Sequence, residues 1–268
     1  MTSFWFNASL AAFLISLAAY AAAHLAARPA LARAGIAGLL AGAAALTAHL
    51  GLRWWAAGRA PMSNMHESLL VMTCAAVWMA LLFLRSSDRA WVGPLGTILG
   101  VLGLAAASLF DKTMTPLMPA LRSNWLLVHV LITMTGYAAF ALAAAAGAGR
   151  IVRARRLPDD LQGADDPQGA SLDGFVYRAM TVGFLLLTGG IITGAVWANQ
   201  AWGAYWSWDP KETWSLITWF VYLAGLHLYR TKGWRGARFA WAAVAGFAAV
   251  IFTYVGVNYL LSGLHSYA

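Results

Sequence analysis

Trp197-Ala-Asn-Gln-Ala-Trp202-Gly-Ala-Tyr205-Trp206-Ser-Trp208-Asp209-Pro210-Lys211-Glu212-Thr213-Trp214 sets five tryptophans and a tyrosine between two long apolar runs. A segment built only to turn the chain uses Gly, Asn, Asp and Ser. Here most side chains are large, flat and rigid, which suits a surface for a large flat ligand. Tryptophan and tyrosine also gather at membrane interfaces; that accounts for two or three of these rings, not for their density. Asp209-Pro210-Lys211-Glu212 reads independently as a helix start, with Asp209 at N-cap, Pro210 at N1 and Glu212 as the reciprocal N3 carboxylate. That reading asks nothing more of the two acids.

The flanking runs decide the class. Of 268 residues, 61% are hydrophobic and 10% charged, and mean hydropathy is +0.65. This is the composition of an all-α integral membrane protein. Apolar runs long enough for a ~30 Å hydrocarbon core fall near 4–26, 34–52, 64–84, 91–109, 124–146, 175–198, 214–230 and 239–261. About eight transmembrane helices in one membrane domain are expected. The first run has no basic segment before it and is too long for a cleaved signal, so it reads as a span. The net charge of +8 does not indicate nucleic acid, because the charges sit in short segments between apolar runs, where they act as topology signals. Cys74 stands alone and argues against thiol–disulfide chemistry by this chain.

Thirteen of the eighteen Lys and Arg residues fall on one side of this arrangement. That side is expected to be cytoplasmic, with both termini and the 199–213 tryptophan loop extracytoplasmic. The 147–174 segment, with Arg150, Arg153, Arg155 and Arg156 followed by Pro158-Asp159-Asp160 and Asp165-Asp166-Pro167, reads as a polar cytoplasmic linker dividing five spans from three.

Six histidines carry the remaining chemistry: His24, His49, His66, His129, His227 and His265. At a rise of ~1.5 Å per residue, His129 lies shallow in span five and His265 just beyond span eight, so both flank the tryptophan side. His227 lies deep toward the other side, too far away to share a metal centre with them. His129, Thr133 and Tyr137 fall in line down span five, and Tyr254, Asn258, Ser262 and His265 trace a polar stripe on span eight. Such faces point at partner helices or at a wet cavity. No Cys pair or HExxH offers zinc spacing. Two distant histidines among aromatics suit haem iron better.

The stretch Trp202–Trp214 resembles the WWD signature of the CcsA (ResC) family of system II cytochrome c synthesis proteins. Gly58-Arg59-Ala-Pro61-Met-Ser63-Asn64-Met65-His66-Glu67-Ser68 and Gly263-Leu-His265-Ser-Tyr267 resemble it as well. The haem-handling proteins of system I share tryptophan-rich signatures but lack the Asp-Pro-Lys-Glu-Thr-Trp continuation. The resemblance implies that His129 and His265 are the external axial ligands of haem b, and that Trp197, Trp202, Tyr205, Trp206, Trp208, Asp209 and Trp214 bind the macrocycle. It implies that His227 is the transmembrane histidine on the haem entry route. It carries no role to His66, and His24 and His49 read as structural residues.

The implied function is haem delivery and covalent attachment to the Cys-x-x-Cys-His motif of apocytochrome c. It would take place on the outer face of a bacterial-type cytoplasmic membrane, with a CcsB (ResB) partner and membrane lipid around the chain. This makes the chain a component of a cytochrome c haem lyase, or synthase, that positions haem without catalytic side chains of its own. A haem exporter or chaperone that forms no bond shares these features. A carrier for another substrate, with histidines as proton relays, is the reading from a different class.

Overall fold

The computed structural model describes residues 2–85, 91–114, 116–117, 121–157, 166–261 and 263. A helix occupies each of the eight apolar runs. In order these are α1 (Thr2–Leu25), α2 (Pro29–Ala57), α3 (Met65–Arg85), α4 (Val92–Ser108), α5 (Asn124–Arg156), α6 (Pro167–Trp202), α7 (Pro210–Thr231) and α8 (Gly236–Ile251). A π-helical segment, Phe252–Gly256, continues α8 into the short α9 (Val257–Leu260). Among the described residues, six spans are long and apolar enough to cross a membrane: α1, α2, α3, α5, α6 and the continuous Gly236–Leu260. Helix α4 is apolar but has 17 residues, and α7 carries a more polar sequence. The protein is a polytopic helical membrane protein.

The helices gather in two compact units, Met1–Arg122 and Ser123–Ala268, four long helices in each. The division falls before α5, and the described parts of the 147–174 segment are largely helical. Helix α5 continues to Arg156, and α6 begins at Pro167 behind an Asp166 N-cap that accepts from Gly169 N. The arginines that read as part of a polar linker are partly internal. Arg150 and Asp173 are both buried and pair at 3.2 Å, and Asp173 also accepts from Gly236 N at 2.9 Å, tying α5, α6 and the start of α8 together.

Lipid removes the usual hydrophobic drive between helices, so close approach and interhelical hydrogen bonds hold them. In the first unit the Phe13 ring lies against Gly42 of α2 and Gly100 of α4, where a β-carbon would collide with it. Ser9 and Ser16 of α1 donate to the carbonyls of Gly42 and Gly35, at 2.9 and 2.7 Å. The Gly58–Ser68 stretch closes this unit around Glu67. This fully buried carboxylate receives Arg53 at 2.8 Å, Arg59 at 2.9 Å, and both the amide and hydroxyl of Ser63 at 3.0 Å. Arg53 also reaches the Lys112 carbonyl at 3.1 Å. His66 is buried with Nδ1 2.7 Å from the Ala107 carbonyl, and buried His49 meets Phe6 edge-on. His24 is exposed at the end of α1.

Candidate functional site

The second unit carries the tryptophan stretch, and its geometry starts at the beginning of α5. Ser123 caps that helix and also donates to Gln200 Oε1 at 2.6 Å, joining the start of α5 to the end of α6. One turn into α5, His129 Nδ1 lies 2.7 Å from the carbonyl oxygen of Gly190 on α6. A carbonyl only accepts, so Nδ1 carries the proton, and in the neutral ring Nε2 holds the lone pair. This is how metal-binding histidines are held, with one nitrogen oriented by a backbone acceptor and the other presented to the metal. Gly194 makes the seat possible, because a β-carbon there would lie 2.7 Å from His129 Nδ1 and 2.8 Å from its Cε1. The hydroxyl of Thr133 lies 3.5 Å from the same Nδ1.

The His129 ring lies nearly parallel to Trp197, with ring planes 11° apart and centroids separated by 6.3 Å. Trp197 is almost wholly buried and meets Trp202 edge-on at 4.8 Å. Trp197 is therefore a buried packing residue beside the imidazole. Helix α6 runs on through Trp202 and stops at Gly203, whose φ of 80° is open to glycine. The non-helical stretch is only 203–209, shorter than the loop expected from hydropathy.

Within it Tyr205 and Trp208 are strongly exposed, and Trp206 meets Trp208 edge-on at 5.7 Å. Trp208 adopts φ of 59°, the left-handed region that costs a residue with a β-carbon ~1–2 kcal/mol. Its neighbours hold it there. The Glu212 carboxylate accepts from Ser207 N at 2.7 Å and from Asp209 N at 3.2 Å, and Thr213 Oγ1 donates to the Trp208 carbonyl at 3.3 Å. The helix-start grammar is present in full: Asp209 and Glu212 form a capping box with Pro210 at N1. Asp209 is buried and its carboxylate accepts from Lys211 N at 2.9 Å. Lys211 Nζ donates to Asn258 of α9 at 2.8 Å. Trp214 packs on Phe252 at 4.2 Å, just where the π segment begins.

The structure thus joins His129 to Trp197 and Trp202, and Trp206 to Trp208. His227 stands apart. The Ser123–Gln200 bond places the starts of α5 and α7 toward one end of this unit. His227 lies ~25 Å along α7 from Pro210, whereas His129 lies ~8 Å along α5. The His227 ring is exposed and makes no hydrogen bond among the described residues; its carbonyl accepts from Thr231 Oγ1. His265 lies outside the described residues. The sequence reading missed Gly190 and Gly194, and gave Glu212 only its role in the helix cap. The spacing of small residues along α6 was the available signal for the glycines; nothing local marks Glu212 as holding Trp208.

The sequence model described as Cytochrome C assembly protein matches residues 62–265. The chain belongs to the cytochrome c assembly protein family. The Cytochrome c biogenesis protein CcsA of Synechococcus sp. (strain CC9902) is 42% identical, with 83% of this chain and 82% of that one covered. That of Parasynechococcus marenigrum (strain WH8102) is also 42% identical, covering 88% and 87%. These relatives bear the name of the group that the tryptophan signature resembles. In fold the chain is similar to a solved Cytochrome c Heme Lyase CcmF at a TM-score of 0.69 and 19% identity. The likeness covers 95% of this chain and 46% of that larger one. The protein's role lies in cytochrome c maturation.

Proposed function

We propose that this member of the family receives haem b and holds it on the extracytoplasmic face of a bacterial cytoplasmic membrane for covalent attachment to apocytochrome c, acting with a CcsB (ResB) partner. The observation that carries the reading is His129, held by Gly190 and parallel to Trp197 beside the Trp202–Trp214 stretch. With Nδ1 donating to Gly190, Nε2 is the nitrogen assigned to iron. His265 supplies the second axial ligand, and Trp202, Tyr205, Trp206, Trp208 and Trp214 line the macrocycle. Asp209 contributes by starting α7. Haem reaches this level from His227, nearer the cytoplasmic side.

Haem is the substrate, and the side chains hold and orient it. With the plane fixed and one edge open, each cysteine thiol of a Cys-x-x-Cys-His motif adds to a vinyl group. A carbon–sulfur bond forms at the vinyl carbon next to the ring, and the thiol proton ends on the terminal carbon. The incoming histidine displaces one axial imidazole and loosens the product. Proximity and orientation are the protein's main contribution, because the addition itself is the substrate's chemistry.

The test is co-expression with the CcsB partner and an apocytochrome, followed by purification. The expected result is a Soret band that His129→Ala plus His265→Ala abolishes, together with haem staining of the cytochrome after denaturation. No Soret band, or one unchanged in the double variant, overturns the reading. Bound haem without covalent staining assigns the chain to haem transfer without bond formation.

A further inference from the structure

The end of α7 beyond His227 carries an arrangement that the external site does not use. Phe220, Ala224 and His227 lie three or four residues apart on one exposed face, the spacing that lines side chains along a helix. Arg230 follows His227 by three residues, ~4.5 Å further along the axis. It is exposed, and its Nη1 donates to the Tyr177 hydroxyl at 3.4 Å, a long bond to a neutral group.

What Arg230 leans on is rigid. Tyr177 stacks on Tyr229 with centroids 4.3 Å apart and planes 14° from parallel. The Arg235 guanidinium covers Tyr229 at 3.4 Å and is fixed by donating to the Tyr229 and Trp234 carbonyls at 2.8 and 2.7 Å. The nearby acids are already engaged, Asp173 by Arg150 and Gly236 N, Asp166 by Arg153. Arg178, Arg230 and Arg235 therefore make no ion pair among the described residues. A helix C-terminus favours a basic residue through its dipole. The dipole explains the charge at Arg230 but not a guanidinium propped on a stacked tyrosine pair beside an exposed imidazole.

We propose that Arg230 is the carboxylate-recognising half of a two-point site whose other half is His227. The ligand class is a planar metallomacrocycle bearing carboxylates at one edge. His227 takes the metal, Arg230 pairs with an edge carboxylate, and the Phe220–Ala224 face meets the apolar body of the ring. A guanidinium matches a carboxylate in charge and fork geometry. The site thereby selects for free propionates and orients the plate with its acidic edge toward the Arg178–Arg230–Arg235 end. This rests on the proposed reading that His227 meets haem.

The test uses the full chain co-purified with its partner in a His129→Ala plus His265→Ala background, titrated with haem b and with haem dimethyl ester while the Soret band is followed. The expected result is His227-dependent binding in which haem b binds about tenfold or more tighter than the ester, the size of one charged hydrogen bond. Arg230→Gln removes that preference by weakening haem b alone, and Arg230→Lys, a point charge, restores part of it. Equal affinity for acid and ester in the Arg230 protein overturns the inference without any variant. So does an Arg230→Gln chain that weakens both alike. In both cases His227-dependent haem binding survives, and the reading of His227 stands. Absence of His227-dependent binding of either compound removes that reading and the inference together.

Discussion

His129 and Gly190 meet across the α5–α6 interface with Nδ1 2.7 Å from the carbonyl oxygen, while the Trp197 ring lies nearly parallel to the imidazole. Two helices thus decide which nitrogen carries the proton and which way the ring faces, before any ligand arrives. The seat has little slack, because Gly194 closes it from the side.

Gly194→Ala is expected to push the His129 ring off the Gly190 carbonyl, since the added methyl would fall 2.7 Å from Nδ1. Overpacking of this kind costs ~1–3 kcal/mol. Haem retained per protein after purification should drop severalfold. Gly189→Ala, one residue from the seat and with only an ordinary contact to Ile132 at 3.6 Å, should leave it unchanged.

Glu212 holds two backbone amides on either side of the left-handed Trp208. Glu212→Ala should cost ~0.5–2 kcal/mol as a lost cap and let residue 208 relax to an extended backbone. A lower melting temperature and an altered tryptophan emission spectrum are the expected readouts. Glu212→Gln, which keeps an acceptor oxygen, should show a smaller change in both.

Glu67 is the anion that Arg53 and Arg59 share in the first unit. Glu67→Ala leaves two guanidiniums against a buried void, and breaking a buried pair from one side costs ~3–5 kcal/mol. The variant should accumulate poorly in membranes and be readily proteolysed. Arg59→Ala, which leaves Glu67 still paired with Arg53, should be milder.

The Arg153 guanidinium beside Asp166 holds that carboxyl below its ordinary value, while burial pushes the other way. The folded pKa lies below the unfolded one. The stabilisation is therefore complete above the unfolded carboxylate value of ~3.9 and is lost as pH falls through the lower folded value. Thermal melts of the purified protein between about pH 6 and pH 3 should show this loss in the most acid samples. Asp166→Asn should lie lower at neutral pH and lack that component of the acid limb.

Hydropathy located all eight long helices, because a chain in lipid must satisfy its backbone internally over a fixed thickness. Local grammar located some of their ends: Asp166-Pro167 and Asp209-Pro210 start helices as N-cap and N1 pairs do. It failed at the end of α5. Arg150 read as part of a polar linker, but it is buried against Asp173 on another helix, a pairing no local pattern displays.

The residues that carry the resemblance, Trp202 to Trp214 with His129 and His227, were legible as residue types with rough depths. The chain's apolar runs, its helix-start acids and its family all follow from the order of its amino acids, since each depends on neighbours a few positions away. Only the tertiary structure decided that the helices divide four and four, that Trp197 is buried beside His129, and that Glu212 holds Trp208. It also placed the histidine's orienting acceptor 61 residues away in sequence. Apart from the Glu212 bonds, which span only three and five residues, these are contacts between elements, set by where small residues allow two helices to approach and by which buried charge finds a partner.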